Sequence, residues 1–143
     1  MMNTAAMSRK NVDIGRRFAA AFQRDGVKAL AEFCDPDVEW HEDPSFPESD
    51  VYRGVEAVTA YSEQFFSEFS EIHYEIGEIV ADSKDHVVFE LKVRGVGRTS
   101  GAAFELPACW AMTFREGRIL RCYAYLDRNR ALEAVGLEEP SST

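Results

Sequence analysis

The chain has 143 residues, 45% hydrophobic and 29% charged, the balance of one globular domain that buries roughly 68–70% of its unfolded surface without staples. Sixteen Lys and Arg against 25 Asp and Glu leave a net charge of −9, which repels phosphate backbones and anionic lipid and argues against nucleic acid or membrane as partners. No apolar run reaches the roughly 18 residues that a membrane span needs, and the opening MMNTAAMSRKN lacks a signal-peptide core.

Residues 1–10 read as a flexible polar tail, 11–138 as one domain, and 139–143 as a second tail. From Asn11, the apolar residues Ile14, Phe18 and Phe22 recur every four positions and form a helical stripe. A second short helix carries Val27, Leu30, Ala31 and Cys34. It stops at Asp35-Pro36-Asp37, because the residue before proline avoids helical angles. Residues 38–40 are a brief strand, and 43–54, with two prolines and two serines, a loop. Val55, Val58, Tyr61 or Ser62, Phe65 and Phe69 stripe a third helix.

After Ser70 the apolar period changes to two. Ile72, Tyr74 and Ile76 begin one strand, and Val87, Phe89, Leu91 and Val93 form the apolar face of the next. Phe104, Leu106, Ala108, Trp110, Met112 and Phe114 alternate along another. Leu120, Cys122, Ala124 and Leu126 do so along the last, opposite Arg121, Tyr123 and Tyr125. Asp127 is placed to cap a closing helix that stops at Gly136. Helices segregated ahead of a meander of long strands predict an α+β fold. The curled sheet, antiparallel or mixed, forms a cone with helices packed on its concave face, and its apolar interior is the usual form of a small-molecule site.

Cys34, Cys109 and Cys122 are an odd number at wide spacing. They form neither a C-x-x-C pair nor a zinc spacing, so buried free thiols and a cytoplasmic location are expected. No phosphate loop, nucleophile elbow or metal-ligand cluster is present in the sequence, so no cofactor is expected.

Four segments carry a family resemblance: Phe33-Cys-Asp-Pro-Asp-Val-Glu-Trp40, Tyr52-Arg-Gly-Val-Glu-Ala-Val58, Trp110-Ala-Met-Thr-Phe-Arg-Glu-Gly-Arg-Ile119, and Tyr125-Leu-Asp-Arg128 with Ala131-Leu132 and Gly136-Leu137. Together they resemble the SnoaL-like proteins of the nuclear-transport-factor-2-like superfamily, which includes ketosteroid isomerase. The resemblance spans residues 11–138 and implies a cystatin-like α+β roll. Its members include isomerases, cyclases, dehydratases, hydrolases and proteins without known activity. Ketosteroid isomerase, a worked example of acid–base tuning, uses an Asp base with a Tyr and a protonated Asp. The base falls either on Asp43, in Glu42-Asp43-Pro44, or on His41 when counted without a gap from Phe33. The tyrosine falls near Arg17 or Phe18, and the acidic donor on Trp110, so two of the three positions depart.

Asp43 and His41 are therefore the candidate proton-transfer residues, sharing one side of an extended segment. Trp40, Tyr61, Phe65, Phe89, Trp110 and Met112 are expected to line a cavity for a small hydrophobic or aromatic molecule. Arg121, Tyr123 and Tyr125, on the outer face, are expected to pair two protomers. Acid–base catalysis, non-catalytic binding in the same cavity, and association through the outer face remain the three functional readings.

Overall fold

Where the apolar period changes from four to two, near Ser70, the structure passes from helix into four successive strands that run to Tyr125. The computed structural model describes residues 4–46 and 50–137. Its elements are α1 (Thr4–Asp25), α2 (Lys28–Phe33), β1 (Cys34–Glu42), β2 (Val51–Arg53), α3 (Val55–Ser67), β3 (Phe69–Asp82), β4 (His86–Gly97), β5 (Ala103–Arg115), β6 (Arg118–Tyr125) and α4 (Arg128–Ala134). One six-stranded sheet has the order β2-β1-β6-β5-β4-β3. Every neighbouring pair is antiparallel except β1 and β6, which are parallel. This is the expected α+β cone. Register shifts along β3, between Phe69 and Glu71 and again between Ile76 and Ala81, let its 14 residues curl instead of running flat.

One face of the sheet carries Val87, Phe89, Leu91, Trp110 and Met112, and packs with Ile14, Phe18 and Phe22 of α1, Leu30 of α2 and Val58 of α3. The helix α1 lies close over β4 because residue 15 is glycine. A Cβ there would stand 2.4 Å from a ring carbon of Phe89.

Several boundaries differ from the sequence reading. Helix α1 begins at Thr4, not near Asn11, so residues 4–10 are helical and no flexible tail. Its first turns are tied to the β3–β4 turn by a hydrogen bond from Ser8 to Asp82 and one from the Asn11 amide to the Lys84 carbonyl at 2.9 Å. The rest of that tail, 1–3, and the C-terminal tail 139–143 lie outside the described residues. Strand β1 starts at Cys34 and runs nine residues, because β6 offers it a parallel ladder from Cys34↔Ile119 to Glu42↔Ala124. A shift of register between Thr113 and Phe114 brings Ile119, not Leu120, to the buried face of β6.

Helix α4 is on the opposite side from the other three. Val88, Cys109 and Ala111 make an apolar patch on the outer face, and Ala131, Leu132 and Val135 cover it. Asp127 caps the helix, accepting from the backbone N–H groups of Asn129 at 2.8 Å and Arg130 at 3.3 Å.

Candidate functional site: an aromatic cavity with one half-buried carboxyl

Alternation along β1 decides which of its side chains enter the cone. Trp40 is buried, and Glu42, two residues on, lies on the same side. The Trp40 indole N–H donates to Glu42 Oε1 at 2.8 Å, and the Tyr61 hydroxyl from α3 makes a second hydrogen bond to the same carboxyl. Tyr61 is itself held in place by stacking on Tyr52 of β2, with ring centroids 4.0 Å apart and planes 15° from parallel. Burial raises the Glu42 pKa above its ordinary value, against the opposing pull of these two hydrogen bonds. Burial, reinforced by the nearby Glu42, also raises Tyr61 and Tyr74, so both phenols stay protonated at neutral pH.

Around this carboxyl is a cavity of about 220 Å³. Its inner wall is Phe22, Trp40, Phe66, Tyr74 and Trp110, with Trp40 and Trp110 edge to face at 5.8 Å. Tyr61, Ser62, Phe65, Phe69, Val93, Phe104, Ala108 and Ala124 complete the sides. Phe46, Leu106 and Leu126 also border it, and these are the large apolar side chains left exposed among the described residues, at 42%, 38% and 38%. An apolar rim therefore continues the apolar interior out to solvent.

The two residues expected to transfer protons do not line this cavity. His41 points to the outer face, stacked on Tyr123 at 4.3 Å with Nε2 3.0 Å from Glu39 Oε1. Asp43 lies just past the end of β1, where alternation no longer applies, and its side chain turns back as a staple. One carboxylate oxygen accepts the Ser45 N–H at 2.8 Å and the other the Leu126 N–H at 2.7 Å. Burial alone would raise the Asp43 pKa, but these bonds and the Ser45 side chain outweigh it and hold the group below the ordinary carboxylate value.

Four of the six expected lining residues, Trp40, Tyr61, Phe65 and Trp110, border the cavity. Phe89 and Met112 do not. Both are fully buried where α1 presses onto β4 and β5, and Gly15 lets the helix fill that space. The residue missed was Glu42. The signal for it was present, since a cavity role for Trp40 puts the acid at i+2 on the same side of the strand.

Cys34, Cys109 and Cys122 are free and buried, and burial pushes the Cys34 thiol up to about 12, so it is no nucleophile at neutral pH. Among the described residues, no three His, Cys, Asp or Glu side chains cluster so as to hold a metal ion. No helix among them is long and apolar enough to cross a membrane.

The sequence profile of the SnoaL-like domain matches residues 15–122. The chain belongs to that family. Solved structures agree with the fold of this SnoaL-like domain. A protein from Jannaschia called a SnoaL-like polyketide cyclase superposes with a TM-score of 0.74 at 16% identity, covering 95% of each chain. A protein from Xanthomonas campestris, also called a polyketide cyclase, gives 0.69 at 20% identity, over 85% of this chain and 93% of the other. A nuclear-transport-factor-2-like protein from Burkholderia xenovorans gives 0.70 at 26% identity, over 84% and 91%. Among curated protein sequences, none matches this SnoaL-like chain.

Proposed function

We propose that this SnoaL-like domain binds a small hydrophobic or aromatic molecule in its cone and moves a proton on it with Glu42, without a cofactor. The observation that carries the reading is one half-buried carboxyl, hydrogen-bonded by Trp40 and Tyr61, in an otherwise aromatic cavity. Desolvation brings such a group nearer the pH at which it both gives and takes a proton, and apolar walls keep water from competing. The role expected of His41 or Asp43 thus passes to Glu42. Asp43 becomes the positioning residue that fixes the segment after it.

Size restricts the substrate. A cavity of about 150 Å³ holds benzene, so 220 Å³ has room for a substituted single ring inside, with any larger part of the ligand extending to the open rim. Isomerisation, cyclisation, dehydration and hydrolysis of such a molecule are all within reach of one carboxyl. The outer face of Arg121, Tyr123 and Tyr125 supports a homodimeric assembly, because Tyr123 and Tyr125 are half-buried beside an exposed Arg121.

The test is a panel of monocyclic substrates on the wild type and on Glu42→Gln. The expected result is a loss of turnover on the order of 10²–10⁴-fold with the fold intact, the usual range for a missing acid or base. A variant that keeps wild-type turnover leaves the cavity as a binding site without acid–base chemistry.

A further inference from the structure

The surroundings of Glu42 say more about the ligand than its size does. The titratable groups whose fields reach this carboxyl are Asp43 just past the end of its strand, Tyr61 on α3, Tyr74 on β3 and Cys122 on β6. All four are acids. Among the described residues that line the cavity, none is Lys, Arg or His. A carboxylate partly withdrawn from water is ordinarily paired with a cation, and the described lining of this cavity offers it only hydrogen-bond donors.

The walls are equally selective. The rings of Trp40, Trp110, Tyr61, Tyr74 and Phe66 border the same space as the carboxyl. Aromatic faces carry negative potential, and a desolvated cation over several of them is attracted by it. A ring cage with an acid and no base is hostile to an anion, indifferent to a hydrocarbon, and complementary to an ammonium group. The net charge of −9 draws cations toward the molecule as a whole.

We propose that the natural ligand is a hydrophobic amine, its cationic nitrogen beside Glu42 within the rings of Trp40, Tyr61 and Tyr74 and its apolar remainder toward the rim at Phe46, Leu106 and Leu126. This rests on the cavity assigned above as the ligand site and names the chemical class it takes. The contact is non-covalent. The ammonium N–H, or the N-methyl groups of a quaternary amine, approach the free edge of the carboxylate, whose other contacts are Trp40 and Tyr61.

The test uses two molecules of one shape. N,N-dimethylbenzylamine, cationic at neutral pH, and isobutylbenzene, its neutral carbon isostere, are titrated into the full chain while tryptophan fluorescence is followed. Both of the chain's tryptophans, Trp40 and Trp110, line the cavity. The amine is expected to bind at least about tenfold more tightly than the isostere, the equivalent of roughly 1.4 kcal/mol. Glu42→Gln is expected to remove that preference while leaving the isostere's affinity nearly unchanged. If the isostere binds as well as the amine, or Glu42→Gln leaves the preference intact, the amine assignment is overturned and the cavity stands as a neutral-ligand site. If neither molecule perturbs either tryptophan, the assignment of the cavity as the ligand site falls as well.

Discussion

The carboxylate of Asp43 accepts the backbone N–H of Leu126, 83 residues further along the chain, at 2.7 Å. This bond joins the loop after β1 to the end of β6, one residue from Glu42. Asp43 is only 2% exposed, so removing its side chain leaves the Leu126 and Ser45 donors without their acceptor. Asp43→Ala should destabilise the fold by about 1–3 kcal/mol, the cost of unsatisfied buried donors. The measurement is a shifted urea midpoint at unchanged slope. His41→Ala, which loses the Tyr123 stack and the Glu39 contact on the outer face, should cost about 0.5–1.5 kcal/mol, the usual worth of an aromatic pair. A midpoint for Asp43→Ala equal to wild type would mean the staple carries no stability.

Stability should also depend on pH through Glu42. Its folded pKa lies above the ordinary 4.5, so between 4.5 and the raised value the folded chain holds a proton that the unfolded chain has released. Stability therefore falls as pH rises across that window and then levels off. Asp43 and Asp35 act in the opposite sense, since both lie below the ordinary 3.8. Their contribution is present above 3.8 and is lost as pH falls through their lowered values. Glu42→Gln should abolish the decline above 4.5 and leave the acid limb as it is. Denaturation midpoints from pH 3 to 8 check this, and parallel curves for variant and wild type would contradict it.

Two phenylalanines separate core from cavity. Phe89 is fully buried under α1, so Phe89→Ala should cost about 3–5 kcal/mol. Phe65, half-buried on the cavity wall, should cost only about 1–2 kcal/mol when truncated, and the larger cavity should accept bulkier rings. Thermal unfolding together with a ligand-size series distinguishes the two. Equal costs for both would place Phe65 in the core.

Much of the architecture could be read from the chain, because the long alternating runs in β4 and β5 leave little freedom in which face is buried. The site was harder. Side-chain parity along β1 puts Trp40 and Glu42 together on the cavity wall, whereas sequence context points to Asp43 and gap-free counting to His41. The Glu-Asp-Pro tripeptide drew attention to a residue whose carboxylate is used by backbone donors. Phe89 and Met112 have the composition of cavity walls. Only the close approach that Gly15 permits shows that a helix already occupies their side of the cone. The same limit hid Ile119, whose burial follows from a register shift that no local pattern announces.

The outer face gives a prediction of its own. Tyr123 is stacked on His41 at 4.3 Å and meets Tyr125 edge to face at 5.7 Å, with Arg121 exposed nearby. Light scattering is expected to give twice the chain mass, and Tyr123→Glu to return it toward the monomer by placing a charge in the contact. A wild-type monomer at every concentration would rule out pairing through this face.

The parallel pairing of β1 with β6 has a consequence for how the molecule comes into being. Strands β3 to β6 are sequence neighbours joined by short turns, and such hairpins close at little entropic cost. The β1–β6 ladder joins residues about eighty positions apart, so it waits on a large loop closure. On the ribosome, Glu42 and Trp40 are made long before the strand that completes their enclosure. Until Leu126 emerges to meet Asp43 there is no pocket to fill, only an aromatic surface open to water. A chain truncated before β6 should therefore be a chaperone client without a closed cavity, since this enclosure is among the last things the fold creates.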